Sequence, residues 1–597
     1  MRVTDYLAER VCQEGVRHVF MGSGGGMMFL SDGIALQRGL EPVCCHHEQV
    51  AAMAAVSYAK YTGNLGVCYV TTGCGGTNAV TGLLHAWQDS VPTLFVSGQI
   101  KRAQTIRNSG LALRQFGPQE GNILSVVEPL TKYAAMLNDP EQVAWQLDQA
   151  LYLARCGRPG PVWLDVPLDV QGAPVRPEDL ARFGPDDQDR QNPAPTPDAL
   201  AEVAELLRRA ERPIIVAGQG IRLAKAIPAF RAFVEKWQIP VVGTRLTVDI
   251  LPSAHPLFIG RIGTRGDRPG NLAMQNSDLL LSIGCRMGVN HTGHEYALFA
   301  RAATIVVVDV DPVEHQKHTI RIDRFIHADA RRFVEAILGV APPPPRAAWV
   351  EKCGHWKATY PVCLPEHADD SRGVNSYYLV QCLCRALKDD AVVISDAGSS
   401  IDVTAQALQL REGQRYIASG GQAEMGYSLP AAIGVSSARD KGEVVVVTGD
   451  GSLQLNIQDL VTIAARGLPV KFFVLNNGGY LSIRSTQRRF FEGRHIGTDP
   501  ASGLFFPDLE KIAAAYGIRY VRLDHSRDLP DRIRDVLDHP GPVLGEVIGV
   551  RDQDIVPRVS SALRPDGSLV SKPLEDMFPF LDRDEFRREM IVEPLDE

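Results

Sequence analysis

Residues 443–480 read EVVVVTGDGSLQLNIQDLVTIAARGLPVKFFVLNNGGY, and the architecture follows from them. Val444 to Val447 is an unbroken β-branched run, as expected of a strand covered on both faces in a parallel sheet. Gly449-Asp450-Gly451 stops it. Leu453, Ile457, Leu460, Val461 and Ala464 then recur at helical spacing over Leu453 to Ala465, and Gly467 with Pro469 closes that helix. A second strand, Val470 to Leu475, runs into Asn476-Asn477-Gly478-Gly479. A right-handed crossover puts the carboxyl ends of both strands on one sheet edge, where α/β proteins bind ligands. Asp450 and Asn477 therefore converge as hard oxygen ligands among glycines that leave the backbone accessible. Mg²⁺ takes few protein oxygens and completes its octahedron with phosphate and water, so the unit is expected to hold a magnesium diphosphate. Asp-Gly and Asn-Gly are each ordinary turn dipeptides; their pairing at the ends of successive buried strands carries the reading.

GDGS at Gly449 to Ser452, followed by a buried strand ending in Asn-Asn, resembles the diphosphate and metal motif of thiamine diphosphate enzymes, and GDGSLQLNIQDL is similar to the acetolactate synthase branch. The resemblance implies that Asp450, Asn477 and the Gly479 carbonyl bind Mg²⁺ and that Gly449, Gly451 and Ser452 meet thiamine diphosphate. It extends over nearly the whole chain.

With 597 residues the chain is too long for one core. Three doubly wound parallel α/β domains are expected: a pyrimidine-binding domain over 1–184, a central nucleotide-binding-like domain over 198–340, a diphosphate-binding domain over 374–550, and a tail over 551–597 that folds across a domain edge. The Pro-rich stretches Pro185 to Pro197 and Pro342 to Pro345 read as linkers. A net charge of −8 with no basic run argues against a nucleic-acid partner. Eleven scattered cysteines without a C-x-x-C pair point to reduced thiols. No stretch reaches the length of a membrane span, so a cytoplasmic protein is expected.

In the first domain Thr4 can cap an opening helix. The strand His18 to Met21 enters Gly22 to Met28, a glycine loop that, by the resemblance, reaches the active centre near Gly25. Val43 to Cys45 reads as a strand, and Glu48 to Tyr61 as a helix whose Ala51, Ala52, Ala54 and Ala55 permit close packing. On composition Glu48 is an acidic residue favourable at a helix N-terminus. In the family it is the glutamate that hydrogen-bonds N1′ of the aminopyrimidine, so that the 4′ nitrogen can remove the thiazolium C2 proton, a task requiring a carboxyl group that exchanges a proton near neutral pH. His46 and His47 are either packing or substrate contacts. The strand Val67 to Val70 leads into TTGCGGTN, ending at Asn78, which echoes the later strand and glycine turn and implies a duplicated αβ domain. Gln119 matches the family glutamine beside the thiazolium. Family precedent places the two halves on different subunits, implying a homodimer or homotetramer with sites between subunits.

The central domain contains Arg212 to Gly220, a glycine-rich His255 to Gly266, and strands at Asp278 to Ile283 and Thr304 to Val310. A lone G-x-G is weak evidence of a nucleotide. Acetolactate synthases hold FAD here while many relatives do not; a flavin would meet Arg158, Gly218, Gly220 and Asp311. One departure stands out. Where the family carries an Asp-Arg pair that anchors substrate, this chain reads Val289-Asn290, and the tryptophan expected after the Asn-Asn motif is missing. Arg484, Arg488 and Arg489 stand in that region and either meet phosphates or are solvated. In the third domain, Ser399 and Ser400 match diphosphate contacts, Met425 the apolar wedge beneath the cofactor, and the Ala423 carbonyl an acceptor from the 4′-amino group.

The resemblance implies decarboxylation of a 2-oxo acid, pyruvate first, and acyl transfer of the transketolase type to a carbonyl acceptor. The missing Asp-Arg pair removes a bidentate anchor, so the acceptor is expected to differ from a second pyruvate; a nucleotide-linked keto-sugar fits. Alternatives are a simple 2-oxo acid decarboxylase, a cyclic-diketone hydrolase, or a non-catalytic cofactor-binding subunit.

Overall fold

The structure, a computed structural model, describes residues 1–184, 192–563 and 569–595. Strands β1 (His18–Gly22), β2 (Glu41–Cys44), β3 (Gly66–Val70), β4 (Thr93–Gln99), β5 (Tyr133–Met136) and β6 (Pro161–Pro167) form a parallel sheet of order β2-β1-β3-β4-β6-β5. The central sheet joins β7 (Pro213–Ala217), β8 (Val241–Gly243), β9 (Phe258–Arg261), β10 (Leu279–Ile283), β11 (Thr304–Asp309) and β12 (Arg324–His327) in the order β12-β11-β10-β7-β8-β9. The third has β13 (Val392–Ser395), β14 (Arg415–Ala418), β15 (Val444–Gly449), β16 (Val470–Asn476), β17 (Arg519–Leu523) and β18 (Val543–Ile548), ordered β14-β13-β15-β16-β18-β17. The first and third orders are the same when each is counted from its own first strand. The duplication read from the two glycine turns is therefore real at the level of topology, and the turns after β3 and β15 occupy equivalent places.

These strands are buried on both faces, which their β-branched and aliphatic composition requires. The two copies share one continuous core. At its centre the helix Glu48–Thr62 crosses the helix Ser428–Ala438, and the small-residue face expected of the former makes the crossing close. A Cβ on Gly434 would lie 2.1 Å from the Ala54 carbonyl oxygen, so only glycine fits.

Three local expectations change. The opening helix, Val3–Gln13, has Arg2 rather than Thr4 at its N-cap; the Thr4 hydroxyl instead donates to Phe29 O at 2.8 Å. The helix expected over Leu453 to Ala465 is broken into Asp450–Gln454, a single turn at Ile457–Asp459, and Leu460–Arg466. Asn456 causes the break by turning its side chain onto two distant segments, donating to Gly426 O at 2.8 Å and accepting from Gln49 Nε2 at 3.2 Å. Finally, the central unit extends past Val340: Trp349, Cys353 and Trp356 of the helix Ala347–Thr359 join its core, as does Leu574 of the tail. The tail folds over this central domain, where Arg301 pairs with Glu575 at 2.5 Å. The linker expected over Pro185 to Pro197 lies largely outside the described residues, and Pro197 already opens the helix Pro197–Arg209.

Candidate active site

The candidate metal site forms where β15 and β16 terminate side by side, in the register Gly449 to Leu475. Asp450 is buried; its Oδ1 accepts from the Gly451 N–H at 2.8 Å and its Oδ2 from the Gly479 N–H at 2.9 Å. Burial raises its pKa to about 6 against the pull of those N–H groups. Asn477 Oδ1 is buried without a hydrogen-bond partner, a state that costs free energy unless a cation or donor meets it. A carboxylate, an orphaned amide oxygen and the carbonyl of the adjoining Gly479 are the hard oxygen set that Mg²⁺ takes. Gly451 is demanded sterically, since a Cβ there would lie 2.1 Å from the Tyr480 ring. Gly449 faces open space.

Arg484 meets neither phosphate nor solvent. It is almost fully buried and donates to the carbonyls of Asn477 at 3.0 Å, Gly478 at 3.2 Å and Arg551 at 2.5 Å. It ties the loop after β16 to the segment at Arg551. Arg488 pairs loosely with Asp552 at 3.5 Å, and Arg489 donates to Ser561 O.

Behind this loop lies a residue that sequence reasoning missed. Asp396, at the end of β13, is fully buried and accepts from Ser400 Oγ at 3.0 Å, Ser428 Oγ at 2.7 Å, Thr448 Oγ1 at 2.9 Å and Ser452 Oγ at 2.5 Å. The hydroxyls of Ser400 and Ser452, expected to meet diphosphate, are thereby directed inward; Ser399 remains half-exposed. Ser452 Oγ also accepts from the Gly426 N–H at 2.8 Å. Met425 is thus carried on a loop fixed to the metal motif through Gly426, Ser452 and Asn456. Ala423, in the same loop, has φ of +49°, a left-handed conformation that a non-glycine residue holds only under constraint.

At the other end, Glu48 opens its helix at the carboxyl edge of the first sheet. Its Oε2 accepts from Asn78 Nδ2 at 3.0 Å, which brings these two expected residues together. Gly22 and Gly75 clear space around the carboxyl group: a Cβ on either would come within 3.3 Å of Oε1. Gln119 lies over the turn after β3, its carbonyl oxygen where a Cβ on Gly73 would sit, and its side chain is exposed. Gly25 is open, while its neighbours Gly24 and Gly26 are packed on Thr71 and Thr72. His47 is the helix N-cap, its Nδ1 accepting from the Gln49 N–H at 3.1 Å, so that nitrogen is not available to substrate.

A cavity of about 520 Å³ opens where the three domains meet. Arg158 and Gly220 line it. Gly218 lies behind the wall, packed on Gly284, and Asp311 is engaged by Arg158 Nη1 at 3.0 Å. Asn290 lines a smaller, adjoining cavity that shares Arg245, Arg286, His291 and Gly420 with the first. Among the described residues no cluster of three or more His, Cys, Asp or Glu could hold a metal, which leaves the mixed carboxylate, amide and carbonyl set at Asp450.

The first and third domains thus bring two candidate ends together, a set of hard oxygens at Asp450 and a carboxyl group at Glu48. Residues 1–118, 200–337 and 396–547 match, respectively, the N-terminal TPP binding domain, the central domain and the C-terminal TPP binding domain of thiamine pyrophosphate enzymes. The chain belongs to the thiamine pyrophosphate enzymes. Its relatives include the acetolactate synthase large subunit of Lactococcus lactis, 31% identical across 92% of this chain and 93% of that protein. The large subunit of Parasynechococcus marenigrum is also 31% identical, over 93% and 88%, and the chloroplastic acetolactate synthase 2 of Nicotiana tabacum is 32% identical, over 94% and 83%. The protein is therefore an acetolactate synthase-like, thiamine diphosphate-dependent carboligase. No helix among the described residues is long and apolar enough to cross a membrane.

Proposed function

We propose that the protein takes a two-carbon acyl unit from pyruvate, with loss of CO₂, and joins it to a carbonyl acceptor other than a second pyruvate. The observation that carries this is the joint presence of Glu48 held by Asn78 and of Asp450 beside the orphaned Asn477 Oδ1, in a chain that matches acetolactate synthases over nearly its full length. Bound thiamine diphosphate supplies the electron sink for decarboxylation. The residues supply the rest. Asp450, Asn477 and Gly479 would hold Mg²⁺ and through it the diphosphate, with Arg484 keeping the loop in shape. Met425 offers an apolar support whose position is set by Gly426. Asn78 occupies Glu48 Oε2, leaving Oε1 to carry the proton toward N1′.

Val289-Asn290 in place of an Asp-Arg pair supports an acceptor unlike pyruvate, and a nucleotide-linked keto-sugar remains the reading for it. Transfer of the acyl unit then follows the transketolase type. FAD in the large cavity is supported by its polar lining, which includes the partnerless buried Oε1 atoms of Gln88 and Gln219. A homodimer or homotetramer is supported by exposed Leu111, Leu113 and Phe116 beside Gln119, and by exposed Phe490, Phe491 and Phe505 beyond the metal loop, apolar surface that a monomer rarely leaves open. Among the described residues no two cysteines form a disulfide, which supports a reducing, cytoplasmic setting. Mass spectrometry of products from labelled pyruvate tests the reading: condensation with a second carbonyl compound is expected, whereas acetolactate at full turnover from pyruvate alone would refute the choice of acceptor. Acetaldehyde as the sole product would favour a simple decarboxylase.

A further inference from the structure

Asp165, in β6, is fully buried, and its carboxylate is met only by neutral donors among the described residues. Its Oδ1 accepts from Ser97 Oγ at 2.6 Å and its Oδ2 from Gln99 Nε2 at 3.1 Å. Trp163 Nε1 donates in turn to Ser97 Oγ at 2.8 Å, so that side of the carboxylate stays within the sheet. The other side leads out of it. The buried Gln99 amide donates through Nε2 to Asp165 and to Gly121 O at 3.0 Å, and accepts at Oε1 from Thr72 Oγ1 at 2.6 Å and from the Ile100 N–H at 3.0 Å. Both its donors and both its acceptor positions are then engaged. The carboxylate fixes which way round the amide sits, because a flipped amide would set its oxygen against Asp165.

Three loops rest on this amide. Thr72 opens the turn after β3, whose Gly75 clears space for Glu48 Oε1 and whose Asn78 holds Glu48 Oε2 at 3.0 Å. Thr72 also backs the glycine loop that begins at Gly22: a Cβ on Gly26 would lie 3.0 Å from the Thr72 side chain, and a Cβ on Gly22 would meet Glu48 itself. Gly121 ends the third loop, in which Gln119 holds a left-handed φ of +58°, a conformation that a non-glycine residue keeps only when its surroundings impose it. Those surroundings include Glu120, buried beside it, whose carboxylate accepts from the N–H groups of Ile106 at 2.5 Å and Phe116 at 2.8 Å.

We propose that Asp165 and Gln99 are positioning residues of the reaction: the buried carboxylate orients the Gln99 amide, and the amide sets the three loops around Glu48. This rests on the carboligase reading above. Burial gives the arrangement a pH signature, pushing the Asp165 pKa up to about 7 against the pull of Ser97, Gln99 and the exposed Arg107, with Glu120 adding to the rise. Once protonated, Asp165 cannot accept at both oxygens, and the amide loses its guide.

The test follows kcat for CO₂ release from pyruvate by the holoenzyme, saturated with thiamine diphosphate and Mg²⁺, from about pH 5.5 to about pH 8.5. In the wild type kcat is expected to fall below about pH 7. Asp165→Asn, which like the protonated acid accepts at one oxygen only, is expected to lower kcat by about tenfold at the alkaline end and to lose that limb. Gln99→Met is expected to lower kcat by about tenfold or more, with cofactor affinity changed by less than about threefold, because the candidate metal site lies in another domain. Ser97→Ala removes a bond that holds the Asp165 pKa down but touches none of the loops. It is expected to keep the alkaline kcat within about twofold and to move the limb to higher pH, which a loss of stability alone does not do. A kcat within about twofold of the wild type in both Asp165→Asn and Gln99→Met, or an acid limb left in place by both Asp165→Asn and Ser97→Ala, would overturn the proposal. If the wild type releases no CO₂ from pyruvate, the carboligase reading fails, and hydrogen exchange then reads the network alone. Faster exchange in Gln99→Met confined to residues 22–28, 71–78 and 117–121 supports it, and unchanged exchange there refutes it.

Discussion

Glu48 is positioned by its neighbours for the proton relay proposed for it. Its Oε2 is held by Asn78, and glycines at 22 and 75 leave Oε1 clear. Glu48→Gln keeps the shape and the hydrogen bond but removes the exchangeable proton. It is expected to lower product formation from pyruvate by about 10²-fold or more while magnesium-dependent cofactor binding and thermal unfolding stay as in the wild type; full turnover in this variant would be incompatible with the role assigned here. Asp450 has a pH signature. With burial raising its pKa to about 6, magnesium must displace a proton below that pH. Calorimetric Mg²⁺ affinity in the presence of cofactor is expected to be flat above about pH 6 and to weaken by about tenfold per unit below it; a flat profile down to pH 5 would contradict the assignment. Glu48, Asp450 and Asn477 could be named as candidates because each stands in a short local motif near the end of a strand. Asp396 was not among them, and Arg484 was named for phosphate or solvent, not for the carbonyls it gathers. Asp396 gathers hydroxyls from 400, 428, 448 and 452, and Arg484 carbonyls from 477, 478 and 551, sets that exist only after folding.

At the scale of elements, the helix broken at Asn456 and the loop carrying Met425 are tied to the first domain. A buried network supports the same join. Asp89 accepts from Lys60 at 2.6 Å and from the Gly420 and Gly421 N–H groups at 2.8 and 2.7 Å, and His85 meets Glu424 at 2.5 Å. Burial opposes ionisation of Asp89 and Glu424, but Lys60 and His85 respectively outweigh it and hold both below their ordinary values of 3.8 and 4.5. Burial also opposes the charge on His85, and the Glu424 carboxylate reverses that, raising it above 6.5. The carboxylates contribute stability that is present above their ordinary values and lost as pH falls through the depressed ones. The histidine contributes stability that is complete below 6.5 and lost as pH rises through its raised value. The network is therefore expected to stabilise most between about pH 4.5 and 6.5. The Tm advantage of the wild type over His85→Gln should narrow above neutral pH, and a constant difference would sink this account. Asp89→Ala, which strands Lys60 in the interior, is expected to cost about 3–5 kcal/mol in urea unfolding; a loss within error of zero would show the pair to be inert. Apolar periodicity revealed the helices on either side of this join. The break at Asn456 escaped it, because a polar side chain that leaves its own helix for two remote partners has no periodic signature.

For the whole molecule, three parallel sheets and the duplication of the first in the third could be read from β-branched runs and glycine turns. The reach of the central domain could not, since Trp349 and Leu574 return to it from beyond a proline-rich stretch and from the tail, contacts between segments far apart in sequence. Sedimentation of the purified protein is expected to give a dimer or tetramer; a monomer that retains turnover would contradict sites shared between subunits. One thiamine diphosphate is expected to bind through a metal held at Asp450 and Asn477. Calorimetric titration of the apo-protein with thiamine diphosphate, with Mg²⁺ and then with a chelator, tests it most directly. Tight binding with magnesium, lost on chelation and lost in Asp450→Ala, is the expected result; no uptake with magnesium present, or equal uptake without it, would contradict the account.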